Sequence, residues 1–142
     1  MKKVMCICGG EEVGKTTTLN RVALDIFSKV KLENIVKLNV PIKNFIKTDH
    51  IYKFKYNEKM FLIITAGDNE KVVEKVINEN IEGVDVIICA IRNGKIRYKN
   101  FKNFVKEKDF EFKDFPKISA TDADNDKVFK EIILELKNIN YL

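Results

Sequence analysis

Glutamine is absent from this 142-residue chain, histidine occurs once, and proline occurs twice. With His50 the single histidine, no histidine pair or cysteine–histidine dyad can be built without it. Its place beside Asp49 in an irregular stretch favours a surface position over catalysis. Cysteine is also scarce, at three, an odd number without zinc-finger spacing. Cys6 and Cys8 stand two apart and share one face of a strand. With Cys89 they read as small buried hydrophobes, not as a disulfide framework. No apolar run approaches the ~20 residues of a membrane span. The apolar part of "MKKVMCICGG" is about six residues, short of the ~7–15 of a secretion signal. It reads as a strand, and a cytoplasmic location is expected. No linker, repeat or low-complexity block divides the chain, so one domain over residues 1–142 is expected.

What is present is an ordinary globular mixture, 45% hydrophobic and 33% charged. The net charge is +5, mostly from lysine. A basic balance permits contact with nucleic acid or an anionic membrane, although lysines scattered over the surface account for it as well. Strand and helix alternate. Residues 3–8 read as an apolar strand and 15–30 as a helix, with Leu19, Val22, Ala23, Ile26 and Phe27 on one face. Residues 31–47 are ambiguous, and Pro41 breaks any regular element there. Residues 51–56 alternate as an edge strand does, Asn57-Glu58 turns the chain, and 60–65, "MFLIIT", runs apolar as a strand buried on both faces does. A helix follows at 69–80, a buried strand at 84–91, a turn at Asn93-Gly94 and a basic amphipathic helix at 98–108. A short strand at 116–119 and a helix at 126–137 complete the chain. This alternation predicts an α/β fold: a mainly parallel sheet of about five strands with helices on both faces and one antiparallel edge hairpin. Ligands bind such sheets at the carboxyl ends of the strands.

The most specific signal is Gly9-x4-Gly14-Lys15-Thr16, which matches the phosphate-loop (Walker A) pattern G-x-x-x-x-G-K-[ST] between a predicted strand and a predicted helix. The glycines let the backbone turn tightly and bring its amides to phosphate oxygens. The helix that opens there adds free N–H groups and its dipole. Lys15 would reach the β- and γ-phosphates, and Thr16 would give its hydroxyl to Mg²⁺. The candidate phosphate contacts are therefore Gly9, Gly10, Glu11, Glu12, Val13, Gly14, Lys15, Thr16 and Thr17. Glu11 and Glu12 are unexpected beside a polyphosphate. One such charge at ~6 Å costs roughly 2–3 kcal/mol before screening. Either the loop binds nucleotide weakly, or one carboxylate is recruited to metal or substrate.

With that loop as its anchor, the chain resembles the Ras-like small GTPases, a branch of the phosphate-loop NTPases. Three further stretches carry the resemblance. "KTDHIYKF" resembles the first switch region, and Thr48 stands where a threonine meets Mg²⁺ and the γ-phosphate; an ordinary loop threonine is the other reading. "LIITAGDNE" resembles the family's "DTAGQE" segment. Gly67 matches its glycine, Asp68 stands where the water-orienting glutamine belongs, and Ile64 stands where the metal-supporting aspartate belongs. "KISATDADN" resembles the "SAK" turn, with Ser119, Ala120 and Thr121 as contacts to the base; a capped strand-to-helix turn is the other reading. The base-reading motif N-K-x-D is not evident. The resemblance thus implies a three-layer Ras-like fold shortened by about one strand–helix unit.

The leading expectation is a small nucleotide-dependent switch that binds GTP with Mg²⁺, with relaxed base choice, and hydrolyses it slowly while engaging a protein partner. In it Lys15, Thr48, Gly67 and Asp68 act in catalysis, and Thr16 and Thr48 hold the metal. A vestigial scaffold that binds a partner is the alternative. A third reading is an ATP-dependent small-molecule kinase, for which only Arg92 and Arg97 near a strand end would clamp phosphates. A fourth is a basic nucleic-acid-binding domain, with the helix at 98–108 as its surface. Asp122, Asp124 and Asp126 resemble a calcium loop only in part, since Lys127 replaces its glycine.

Overall fold

A computed structural model describes residues 2–9, 14–28, 35–38, 51–65, 70–92, 94–117 and 119–142. Its elements run β1 (Lys3–Gly9), α1 (Lys15–Phe27), β2 (Ile35–Leu38), β3 (Ile51–Tyr56), β4 (Lys59–Ile64), α2 (Glu70–Asn80), β5 (Val86–Arg92), α3 (Lys95–Glu107), β6 (Glu111–Pro116) and α4 (Asp122–Asn138). The six strands form one sheet in the order β2-β3-β4-β5-β1-β6. β4, β5, β1 and β6 run parallel to one another, while β3 runs antiparallel to both β2 and β4.

The strands buried on both faces are those with unbroken apolar runs. β1 is buried along its whole length, and β5 along all but its last residue. Alternate residues enter two different cores. Met5, Ile7, Val86, Ile88 and Ala90 pack against Leu19, Val22 and Ile26 of α1 and Val128, Ile132 and Leu136 of α4. Val4, Cys6, Cys8, Ile87, Cys89 and Ile91 pack against Val73, Val76 and Ile77 of α2 and Phe101 and Val105 of α3. Fully burying a side chain such as Leu19 or Phe101 contributes about 1.5–3 kcal/mol. The result is a three-layer α/β arrangement, as the alternation predicts. The three cysteines are buried free thiols within it.

Several boundaries differ from the sequence expectation. Residues 51–56 are not an edge strand, because β2 pairs outside them. The last strand is Glu111–Pro116, not 116–119. It holds the true edge beside β1, so most of its side chains face solvent and its charges mask the pattern. Helix α3 begins at Lys95 and α4 at Asp122, each a few residues early. The Asn57-Glu58 turn is present as expected. Both residues have positive φ, 52° and 63°, the conformation a two-residue hairpin requires.

This topology fixes where a ligand can bind. After β1 the chain passes to α1 on one face of the sheet, and after the adjacent β5 it passes to α3 on the other. Neighbouring strands whose connections leave in opposite directions open a crevice at their carboxyl ends. Gly9 and its register partner Arg92 stand at the mouth of that crevice.

Candidate functional site

The site is built on the junction of β1 and α1. Gly14 caps α1 in the left-handed conformation, φ 78° and ψ 27°. A side chain there would be strained, and it would also collide: a Cβ on Gly14 would lie 2.9 Å from Asn125 Oδ1, 3.4 Å from Ala120 Cα and 3.4 Å from Lys117 Nζ. The glycine is required twice over, by torsion and by space. Lys15 follows it, 6% exposed, and its Nζ donates to the Gly9 carbonyl at 3.1 Å. The lysine thereby spans from the helix back to the end of β1. Thr18 closes the first turn, its hydroxyl donating to the Gly14 carbonyl at 3.1 Å.

Thr16 reaches toward the neighbouring part of the sheet. Its hydroxyl donates to the Thr65 carbonyl at 3.1 Å, just beyond the end of β4. Two oxygen atoms therefore meet at the point where α1 approaches Thr65. Thr17 is exposed. It lines an open groove of about 640 Å³ with Asn20, Arg21, Leu24 and Phe129, in which the Arg21 guanidinium stacks 4.1 Å over the Phe129 ring. Ile64 is fully buried among the apolar residues facing α2 and α3, so no polar group enters the site from that position.

The turn after β6 completes the site. The Lys117 amide donates to the Cys8 carbonyl at 2.9 Å and so continues the β1–β6 pairing past the strand. The Lys117 side chain is wholly buried, with its ammonium 3.4 Å from Asp124 Oδ2 and donating to the Ser119 carbonyl. Asp124 Oδ2 also accepts the Ser119 amide at 3.1 Å. Thr121 is the N-cap of α4, with its hydroxyl accepting the Asp124 amide at 3.3 Å. The hydroxyls of Ser119 and Thr121 lie 3.0 Å apart. Asn125 joins this turn to the loop: its Oδ1 lies 3.4 Å from the Thr18 hydroxyl, and its Nδ2 donates to the Ala120 carbonyl at 3.4 Å.

The structure thus gathers Gly9, Gly14, Lys15, Thr16, Ser119, Ala120 and Thr121 from opposite ends of the chain. Gly10, Glu11, Glu12, Val13, Thr48, His50, Gly67 and Asp68 lie outside the described residues. Sequence reasoning did not assign Lys117, Asn125 or Thr65 to the site, and weighed Asp124 only as part of a calcium loop. A lysine at the carboxyl end of a strand, seven residues before an aspartate in a helix's first turn, is the trace that Lys117 leaves in the sequence. Asp122, Asp124 and Asp126 do not converge. Asp124 turns to Lys117, while Asp126 pairs with Arg21 at 3.0 Å and Lys130 at 2.8 Å. Those two hydrogen bonds hold the Asp126 carboxyl below its usual range. Among the described residues no three acidic, histidine or cysteine side chains are placed to hold a metal ion.

In comparisons with known proteins, no family model matches the chain, and neither a curated protein nor a solved structure matches it. No helix among the described residues is long and apolar enough to cross a membrane.

Proposed function

We propose that the chain is a nucleotide-dependent switch that binds GTP with Mg²⁺, hydrolyses it slowly, and couples the bound state to a protein partner. The observation that carries this reading is the start of α1: a left-handed Gly14 opens the helix, and Lys15 donates back to the Gly9 carbonyl at the end of the buried strand β1. That is the mechanical arrangement G-x-x-x-x-G-K-[ST] calls for. The amides opening α1 would hold phosphate oxygens, and the Lys15 ammonium would turn from the Gly9 carbonyl toward them. The Thr16 hydroxyl, with the Thr65 carbonyl beside it, fits an oxygen-liganded Mg²⁺ carried in with the triphosphate. That ion would offset charge on the phosphates.

The turn at 119–121 adjoins Gly14, which supports a base near Ser119 and Ala120. The base-reading motif N-K-x-D is not evident in the sequence, so no carboxylate is assigned to distinguish guanine. Relaxed choice between GTP and ATP follows.

A second reading, a scaffold that binds nucleotide without useful turnover, draws on Ile64. Its burial leaves the metal without the carboxylate that the family places there. Titration with GTP, ATP and their diphosphates, with and without Mg²⁺, tests binding, and single-turnover hydrolysis separates the two readings. Saturable triphosphate binding with a rate above the blank supports the switch. Binding with a rate equal to the blank leaves the scaffold, and no binding of any nucleotide removes both.

A further inference from the structure

The stretch that forms α3 and its C-cap Lys108 is strongly basic. Residues 95–108 carry six basic side chains against the single acid Glu107, a net of +5, which is the net charge of the whole protein; the other 20 basic and 20 acidic residues cancel. The lysines are therefore not evenly scattered, as composition alone suggests. Within α3, Lys99, Lys102 and Lys106 follow at i, i+3 and i+7 and form one stripe. At 1.5 Å per residue the stripe is about 10 Å long. Lys99 and Lys106 are exposed, and Lys102 lies partly exposed with its Nζ 5.9 Å over the Tyr98 ring. The exposed Asn103, at i+4 from Lys99 and i−3 from Lys106, lies next to it.

Among the described residues, the acids of α2 meet α3 on its other flank. Arg97 pairs with Glu70 of α2 at 3.7 Å, and the charge of Glu107 reaches Glu74 of α2. The stripe flank instead meets β6, where Tyr98 packs on Phe112 and donates to Asp114 Oδ2 at 3.3 Å. Asp114 is thus the β6 acid that α3 engages, and it does so through a hydroxyl and not a lysine.

We infer that the Lys99–Lys102–Lys106 stripe, with Asn103, is a docking face for the phosphodiester backbone of a nucleic acid, read without base specificity. The chemistry of the face selects this partner over two others. A membrane surface holds a helix through inserted apolar side chains, but Phe101 and Val105 are in the core. The one large exposed apolar side chain of α3 is Ile96, at its first turn. Protein interfaces deplete lysine and centre on aromatic or aliphatic anchors, which this stripe lacks. Lysines with an interleaved amide are what phosphate contacts use. This inference stands apart from the nucleotide reading, because it uses none of the residues of that site.

The test is fluorescence anisotropy with a labelled DNA duplex of about 20 base pairs and a single strand of about the same length, across a salt series. Three phosphate contacts predict a slope of log K against log salt of about −2 to −3, with micromolar binding at low salt. Lys99→Gln/Lys102→Gln/Lys106→Gln should weaken binding at least tenfold at low salt and flatten the slope by about two units. Lys127→Gln/Lys130→Gln/Lys137→Gln on α4 removes the same charge and should change binding less than twofold. Circular dichroism checks that both variants fold, and Lys→Arg at the three stripe positions should restore affinity. Absence of binding at low salt overturns the inference, as does an equal loss from both triple variants. Tighter binding to phosphatidylserine vesicles or polyglutamate than to DNA overturns it too.

Discussion

The ammonium of Lys117 lies 3.4 Å from Asp124 Oδ2 and 3.4 Å from where a Cβ of Gly14 would sit, so one buried cation ties the turn after β6 to the glycine loop. Lys117→Met removes it and takes from the Asp124 carboxylate its buried cationic partner. Breaking a buried pair from one side costs about 3–5 kcal/mol. Against the 5–15 kcal/mol typical of a whole domain, the variant should unfold at much lower denaturant. Lys117→Met/Asp124→Leu should be less destabilised than the sum of the single changes. A denaturant double-mutant cycle measures this, and additivity would show that the two groups do not interact.

Gly14→Ala should be destabilising even without ligand. The left-handed backbone alone costs an alanine about 1–2 kcal/mol. The close approach of Asn125 Oδ1 adds to it. Gly14→Ala/Asn125→Ala should recover the steric part and not the torsional part. Urea midpoints distinguish the two, and full recovery in the double variant would mean that torsion contributes nothing.

Thr16 makes its contact through the hydroxyl, so the methyl group is dispensable and the oxygen is not. Thr16→Ser should keep both stability and the gain in nucleotide affinity produced by Mg²⁺. Thr16→Val loses the hydrogen bond to Thr65, worth about 0.5–1.5 kcal/mol. It should also lose tenfold or more of the Mg²⁺-dependent gain. Isothermal titration with and without Mg²⁺ reads both effects, and an unchanged Mg²⁺ dependence in Thr16→Val would separate Thr16 from the metal.

Glu135, at the opposite end of the sheet from the glycine loop, sets part of the acid stability. Hydrogen bonds from Lys3 and Lys113 hold its carboxyl below the ordinary glutamate range. A depressed folded-state value means that the stabilisation is complete above the unfolded-state pKa and is lost as pH falls through the lower folded value. Glu135→Gln should therefore lower stability at neutral pH and flatten its decline below about pH 4.3. Melting temperatures from pH 2 to 7 measure the difference; parallel curves for the two proteins would assign the acid limb elsewhere.

The central strands were legible because nothing interrupts their apolar runs: "MFLIIT" and "VIICAI" are buried on both faces, as such runs demand. β6 was not, because "EFKDFP" exposes Glu111, Lys113 and Asp114 at the sheet edge. Pro116 is tolerated there, where no partner strand needs its missing N–H. The starts of α3 and α4 were read late for a related reason. Lys95 to Arg97 and Asp122 to Asp124 carry few core residues, so periodicity begins only where burial does. At the site, the Gly14-Lys15-Thr16 half was legible because spacing in one segment encodes it. Lys117 was not, because its meaning comes from Gly14 and Asp124, which approach only through the β1–β6 pairing.

The position of β1 has a temporal consequence. Its two lateral partners, Val86–Arg92 and Glu111–Pro116, lie in the second half of the polypeptide. As the chain emerges from the ribosome, the first strand made must wait for the last one before its second edge is covered. Such distant pairings form late and slowly. The glycine bend can acquire its native walls only when residue 117 and the helix beyond it are available, so a nascent chain halted before Glu111 would present an apolar strand with one side open to aggregation.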